Sequence, residues 1–187
     1  MSRRRVLAVF VASLMLACSN PPEKERNQAA EAITAARAAE ADTYAADELR
    51  TAETALQQYD QAVADRDYRL ALTHAIDARD AAYSAARLSA SRKANAQAAA
   101  FKGLADFEAT VSLARSRLTG APTLRPMGPA ADRVRAALQR APKVLQEART
   151  RLGNQDFNGV VALVGPMTEA IRKDLPSPPP QPGKKGK

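Results

Sequence analysis

The sequence predicts an all-α protein of antiparallel helical hairpins, whose long helices pack as in tetratricopeptide repeats or coiled coils. Alanine, the residue with the highest helix propensity, accounts for 42 of the 187 residues. Apolar residues recur at steps of three and four along segments that proline and glycine separate. Aromatic residues contribute only 4% and tryptophan is absent, which predicts a thin core and closely spaced helices.

The first two predicted helices follow Pro21 and Pro22. One is expected over about 23–41, with acidic residues in its first turn, where they suit the helix dipole. A turn over 42–46 leads to the second helix, which is expected to end at 65–67. Five residues of the second helix recur at the steps of three and four that are typical of coiled coils, and they are predicted to face inward. They are Leu49, Ala52, Leu56, Tyr59 and Val63.

A third helix is predicted to begin at Tyr68, because Asp67 is a good N-cap residue. Its apolar pattern thins over 84–100 and then recovers. No proline interrupts it, so the sequence allows one continuous helix of about 50 residues. It also allows a helix that bends or frays at Gly103 or over 89–95. The residues predicted to face inward are Ala71, Leu72, Ala75, Ile76, Tyr83, Phe101, Leu104, Phe107, Val111, Ala114 and Leu118.

Residues 121–129, with three prolines and one glycine, form the predicted linker between two domains. The first domain is predicted over 18–120. The second is a helical hairpin over 130–175, whose last helix is expected at about 157–174. Residues 176–187 are rich in proline and lysine, and they predict a disordered tail.

Proline also lies inside the last two predicted helices. Pro142 is expected to kink the first of them, and the Gly165–Pro166 pair to kink or break the second.

A weak internal repeat pairs Asp67–Tyr68 with Asp156–Phe157, because each acid precedes an aromatic residue at a helix start. The repeat is explained either by two tandem helical hairpins or by chance similarity of two turns, and the sequence does not decide between them. In the last helix, the residues predicted to face inward are Phe157, Val161, Val164 and Ile171.

The first 17 residues predict a lipoprotein signal peptide. Three arginines precede an apolar run over 6–17, which is shorter than the roughly 20 residues of a membrane-spanning helix. Residues 15–18, Met-Leu-Ala-Cys, resemble the lipobox of bacterial lipoproteins, in which the thiol receives a diacylglycerol and the chain is cut before the cysteine. The resemblance implies lipidation, including palmitate, at Cys18, the only cysteine. An ordinary signal peptide and an uncleaved anchor are the alternatives.

The residue after the cysteine bears on localisation. Ser19 resembles that position in outer-membrane lipoproteins, whereas aspartate is usual in those retained at the inner membrane. The resemblance implies a lipid-anchored protein of the bacterial envelope, at the outer membrane and facing the periplasm. Residues 2–7, Ser-Arg-Arg-Arg-Val-Leu, also resemble a twin-arginine export signal, and a plain arginine-rich leader is the favoured alternative.

Residues 27–86 resemble a family of small bacterial lipoproteins that share an alanine-rich domain of unknown function. The resemblance lies in the alanine spacing over 29–39, in the segment Tyr44–Leu49 and in the acid–aromatic turn at 65–68. It implies a helical periplasmic module behind a lipid anchor. It implies no activity, because none is assigned to the family.

Charge is unevenly distributed along the chain. Over 23–86 there are 13 acidic and 7 basic residues, and over 87–175 there are 7 acidic and 15 basic residues. Nucleic-acid binding is not predicted, because the basic half lacks the interleaved aromatic residues of a binding stripe. The basic half suits an anionic envelope partner. The alternative is that the two halves face each other within one fold or a dimer.

No catalytic residue, cofactor or metal site is predicted, and the chain is expected not to be an enzyme. A nucleophile needs an adjacent base, and the chain has one histidine, His74. His74 and Asp77 share a helix face, but two ligands without a third make a weak metal site. A surface histidine is the favoured interpretation.

The predicted function is a lipid-anchored, helical interaction or scaffold protein, bound to the membrane through its lipid and to an envelope protein or peptidoglycan. The alternative is a structural tether between the outer membrane and peptidoglycan through the basic tail. That plan resembles Braun's lipoprotein, a helical lipoprotein joined to peptidoglycan through its C-terminal lysine. The candidate tail contacts are Lys184, Lys185 and Lys187. The oligomeric state is left open.

Overall fold

The computed structural model describes residues 20–119 and 128–175, and every helix or strand in these ranges is an α-helix. The predicted all-α class is therefore confirmed. The helices are α1 (Glu23–Ala38), α2 (Ala41–Tyr44), α3 (Ala46–Ala64), α4 (Tyr68–Thr119), α5 (Pro129–Gly153) and α6 (Phe157–Asp174). The predicted signal peptide (1–17), the tail (176–187) and most of the linker (121–129) lie outside the described residues.

The chain divides into two compact units after Lys93, within α4. Unit 1 contains α1, α2, α3 and the first part of α4. Unit 2 contains the rest of α4 together with α5 and α6. The division lies within α4, and most of the predicted linker is outside the described residues. The predicted domains, 18–120 and 130–175, therefore stay a prediction.

Helix α4 is continuous over 52 residues, so it does not break at Gly103 or over 89–95. A bend at either place stays a prediction. The alanine-rich middle of α4 contains no helix breaker and has high helix propensity. A Cβ atom at Gly103 would lie 3.4 Å from the Cγ2 atom of Val164, so the glycine lies where α6 approaches α4. Helices α5 and α6 continue through Pro142 and Pro166, so the helix does not break at Gly165–Pro166. The kinks expected at the two prolines stay predictions.

The core of unit 1 is built largely from alanine. On α4 the buried row consists of alanines, Ala71, Ala75, Ala78, Ala82 and Ala85, and it ends in unit 1 at the buried Ser89. Ala78 meets Ala29 of α1 and Ala55 of α3, so three methyl groups fill the point where three helices converge. Such small side chains bring helices close together but remove little apolar surface from water.

Unit 2 has a core of larger side chains. Its cluster of buried residues draws on α4, α5 and α6 and includes Phe107, Val134, Phe157, Val160, Val164 and Ile171. Burying a side chain of this size contributes roughly 1.5–3 kcal/mol, several times the contribution of a methyl group. Unit 2 therefore obtains more stabilisation from each buried residue than unit 1.

Unit 1 adds polar contacts at the corner where α1, α2 and α3 meet. Three side chains of α4, namely Ser89, Arg92 and Lys93, reach this corner and form what we call the polar clamp. The contacts are Ser89 Oγ to the Ala39 carbonyl oxygen (2.5 Å), Arg92 to the Glu48 carboxylate (2.7 and 3.0 Å) and to the Tyr44 carbonyl oxygen (3.0 Å), and Lys93 to the Glu40 carboxylate. Ser89 is fully buried.

Two turns, one in each unit, have the same geometry. Arg66 and Gln155 follow α3 and α5 with φ of 60°, and in both turns the backbone bonds are those of a Schellman motif. The next residue in each turn caps the following helix: Asp67 Oδ1 accepts from Leu70 N at 3.0 Å, and Asp156 Oδ1 accepts from Gly159 N at 2.9 Å. The repeat seen in the sequence is therefore also a repeat of turn geometry.

Candidate functional site

The predicted site residues, Cys18, Lys184, Lys185 and Lys187, all lie outside the described residues. Among residues 20–119 and 128–175, no helix combines the length and apolarity that a membrane crossing requires. The described ranges also hold no group of three or more side chains suited to a metal ion: His74 is half-buried and Asp77 is exposed. The candidate site in these ranges is a pair of surface grooves, one in each unit.

The groove of unit 1 runs between α1 and α4, and we call it the Tyr83 groove. Tyr83 is 58% exposed, although the sequence predicted that it faces inward. It follows Ala82 of the buried row, so its ring lies at the edge of the helix contact, where Ala32 and Ala35 are too small to cover it. The lining residues are Gln28, Glu31, Ala32, Ala35, Arg79, Asp80 and Tyr83.

The charges of the Tyr83 groove are only partly paired. Arg79 contacts Asp80 at 2.9 Å. Glu31 is exposed and has no ion pair among the described residues. The groove therefore combines an exposed aromatic ring with one unpaired carboxylate.

The groove of unit 2 runs between α4 and α5, and we call it the Arg115 groove. Its lining residues are Arg115, Pro142, Leu145, Gln146, Arg149 and Thr150. Leu145 is half-buried and belongs to the edge of the unit 2 core, while Pro142 is exposed. The lining of the groove is therefore apolar in part.

The Arg115 groove carries one unpaired cation beside one ion pair. Arg149 contacts Glu108 at 2.8 Å. Within the part of the chain that the structure describes, neither Arg115 nor the neighbouring Lys143 has an ion pair, and both are exposed. An anionic side chain that entered this groove would therefore meet cations without first displacing an internal partner.

A third groove, between α1 and α3, already has its charges paired. Arg37 contacts Glu53 at 2.5 Å, and Arg26 lies 3.6 Å from Asp60. These pairs join the two helices along the groove. We therefore assign it a structural role.

The polar clamp contains the carboxylate of Glu48. The Arg92 guanidinium donates two hydrogen bonds to Glu48 and lowers the pKa of that carboxyl below its ordinary value. Tyr44 and Glu48, two of the residues behind the family resemblance, are both contacts of Arg92. The Tyr44–Leu49 segment is therefore in contact with a residue more than 40 positions away in sequence.

Tyr59 lies in the core as the sequence predicted, with 2% of its surface exposed. Its hydroxyl has no hydrogen-bond partner among the described residues. Burial raises the pKa of Tyr59, and the nearby Glu23 carboxylate raises it further. Because the group is enclosed and neutral, it offers no reactive phenolate.

No protein-family model, curated protein or solved structure matches this chain. The resemblances to bacterial lipoproteins therefore rest on the sequence segments quoted above.

Proposed function

We propose that this chain is a lipid-anchored interaction or scaffold protein of the bacterial envelope, facing the periplasm and without catalysis. The observation that carries the proposal is the segment Met15–Cys18, because its cysteine is the only one in the chain and follows an apolar run. Each methylene of an attached lipid contributes about 0.8 kcal/mol, so two or more acyl chains give stable anchoring. The two surface grooves support the proposal, because each offers exposed side chains to a partner.

Part of the proposal concerns how the helices pack. We infer that helix pairs form antiparallel hairpins of the tetratricopeptide or coiled-coil type. The matching turns at Asp67 and Asp156 support this inference, because each joins two helices through three connecting residues.

The anchor is tested by metabolic labelling with a palmitate analogue. Wild type should incorporate label and fractionate with the outer membrane, whereas Cys18→Ser should lose the label and leave the membrane. Cys18→Ser that is unlabelled but still fractionates with the outer membrane would show that other residues hold the protein there. As a matched control, Ser19→Asp should keep the label and move the protein to the inner membrane.

The interaction role is tested by crosslinking the full chain in intact cells, followed by capture through a tag. We expect a defined adduct that recurs between preparations and differs from the adducts of an unrelated lipoprotein expressed at the same level. Recovery of the same background from both proteins would contradict the proposal.

A second candidate function is a structural tether to peptidoglycan, and the composition of residues 176–187 favours it. The segment contains five prolines and three lysines, as expected for an extended, cationic spacer of about 3.1 Å per residue. Lysozyme digestion followed by mass spectrometry should recover Lys187 on a muropeptide if the link is covalent. Lys187→Arg keeps the charge but removes the amine, so only a covalent link should be lost in this variant.

A further inference from the structure

The two grooves have complementary features. The Tyr83 groove contains an unpaired carboxylate, Glu31, beside an exposed aromatic ring. The Arg115 groove contains an unpaired guanidinium beside the apolar surface of Pro142 and Leu145. Each groove also contains residues of one ion pair, which leaves a single lining charge open in each, of opposite sign.

We propose that the Tyr83 groove of one copy binds the Arg115 groove of a second copy of this chain. In this contact Glu31 pairs with Arg115, while the Tyr83 ring covers Pro142 and Leu145. Burial of an exposed aromatic ring supplies most of the attraction, because aromatic side chains dominate the energetics of interfaces. The single charge pair sets the orientation and excludes like-charged surfaces.

The charges of the two units favour a second copy as the occupant. The described residues of unit 1 contain 13 acidic and 10 basic side chains, whereas those of unit 2 contain 7 acidic and 11 basic. Unit 1 of one copy therefore attracts unit 2 of another, and both surfaces are present in every copy. The proposal goes beyond the lipid anchor and does not depend on it.

The contact joins two different surfaces, so it is heterologous. Unless the rotation between copies closes a ring, each added copy presents a free groove to the next, and association continues beyond a dimer. Anchored copies would then form rows, which is a property expected of a scaffold.

The first test places the photoreactive residue p-benzoylphenylalanine at position 83 of the full chain. This chain is co-expressed with a second copy that carries a different affinity tag, and the cells are irradiated. We expect adducts that contain both tags, with the linked peptide mapped to 142–150 or to the peptide that contains Arg115. Adducts confined to one chain, adducts only to other proteins, or adducts mapped to other regions would each overturn the proposal.

The second test reverses the two charges. Glu31→Arg and Arg115→Glu, each present in both tagged copies, should lower the yield of two-tag adducts at least threefold. A chain with both substitutions should recover most of the wild-type yield, because the pair is restored with opposite polarity. Unchanged yield in the single variants, or no recovery in the double variant, would overturn the proposal.

Matched controls come from exposed charges outside the grooves. Asp77→Arg reverses a negative charge in unit 1, as Glu31→Arg does, and Lys102→Glu reverses a positive charge in unit 2, as Arg115→Glu does. Neither Asp77 nor Lys102 has an ion pair within the described ranges. Both should keep the wild-type yield. A loss in these controls equal to that of the groove variants would show that net charge, rather than the grooves, drives association, and the proposal would fail.

Discussion

The two units reach a stable fold by different means. In unit 1 the convergence point of three helices is filled by Ala29, Ala55 and Ala78, and the corner of the unit is fixed by the polar clamp. In unit 2 phenylalanine, valine and isoleucine fill the space between α4, α5 and α6. Apolar burial contributes in proportion to area, so the larger side chains give unit 2 more stabilisation per residue.

The two cores should tolerate different kinds of substitution. Alanine rows let helices approach closely, so a larger side chain there has no room. A core of large side chains instead fails by losing volume, because its surroundings relax only partly. Additional volume should therefore destabilise unit 1, and lost volume should destabilise unit 2.

The largest expected effect is truncation of Phe107. It is fully buried at the centre of the unit 2 core, and Phe107→Ala should lower the free energy of unfolding by about 3–5 kcal/mol. Hydrogen exchange should show loss of protection in α5 and α6 that exceeds the loss in α1. Phe101→Ala, the same change on the same helix at a residue 52% exposed, should cost about 1 kcal/mol or less. Equal losses from the two variants would contradict the core described for unit 2.

A smaller effect is expected from enlarging Ala78. Ala78→Leu inserts three carbon atoms where three alanines already meet, and it should destabilise unit 1 by about 1–3 kcal/mol. Ala90→Leu, on the exposed side of α4, is the matched control and should be nearly neutral. Urea denaturation monitored by circular dichroism measures both. A neutral Ala78→Leu would show that the alanine contacts contain unused space.

In each unit an arginine lowers the pKa of a carboxylate. Hydrogen bonds from Arg92 lower the pKa of Glu48 in unit 1, and those from Arg133 lower the pKa of Asp174 in unit 2. A lowered pKa in the folded state means that the stabilisation is complete above the ordinary carboxyl value, about 4. It is lost as the pH falls further.

Arg92→Ala should therefore reduce the pH dependence of stability below about pH 4 in unit 1, and Arg133→Ala should do so in unit 2. Hydrogen exchange at matched pH values separates the two units. Arg50→Ala is the control, because Arg50 pairs with Asp47 at a highly exposed site where an ion pair contributes little. If Arg92→Ala and Arg50→Ala had the same pH profile, the polar clamp would not stabilise unit 1.

The sequence predicted the helices of this fold better than their inward faces. Helix α6 begins and ends where proposed, at 157 and 174, because Asp156 caps one end. The first helix was expected to reach 41 but ends at Ala38, because Glu40 adopts a φ of 61°. No sequence rule places a glutamate in that conformation, which glycine usually occupies.

The predicted inward faces are wrong at several large residues, because alanine occupies many of the buried helix positions. Tyr83 and Phe101 were predicted to face inward, yet both are more than half exposed. Leu72 and Val161 were also predicted inward and are exposed as well. The alanines at 71, 75, 78, 82 and 85 repeat at steps of four and three, and this spacing marks the buried row. The Tyr83 groove was not predicted for the same reason, because it is lined by a ring that the sequence placed in the core. The Arg115 groove depends on contacts between α4 and α5, which no local pattern specifies.

The smallest expected effect concerns the two matching turns. Arg66 and Gln155 hold a left-handed φ of 60°, which costs an ordinary residue roughly 1–2 kcal/mol. Substitution by glycine removes that cost. It also destabilises the folded state by roughly 0.5–1 kcal/mol, because glycine has more conformational freedom in the unfolded chain. Arg66→Gly and Gln155→Gly should therefore each stabilise the protein by about 0.5 kcal/mol, measured by urea denaturation.

Ala136→Gly, at an exposed helical position of α5, is the control and should destabilise by about 1 kcal/mol. The comparison between the turns is more informative than either gain alone. Their hydrogen bonds are equivalent although the cores beside them differ, so the two gains should agree. A gain at Gln155 without one at Arg66 would mean that the alanine core of unit 1 also constrains its turn, and the turn geometry would then not be a local property.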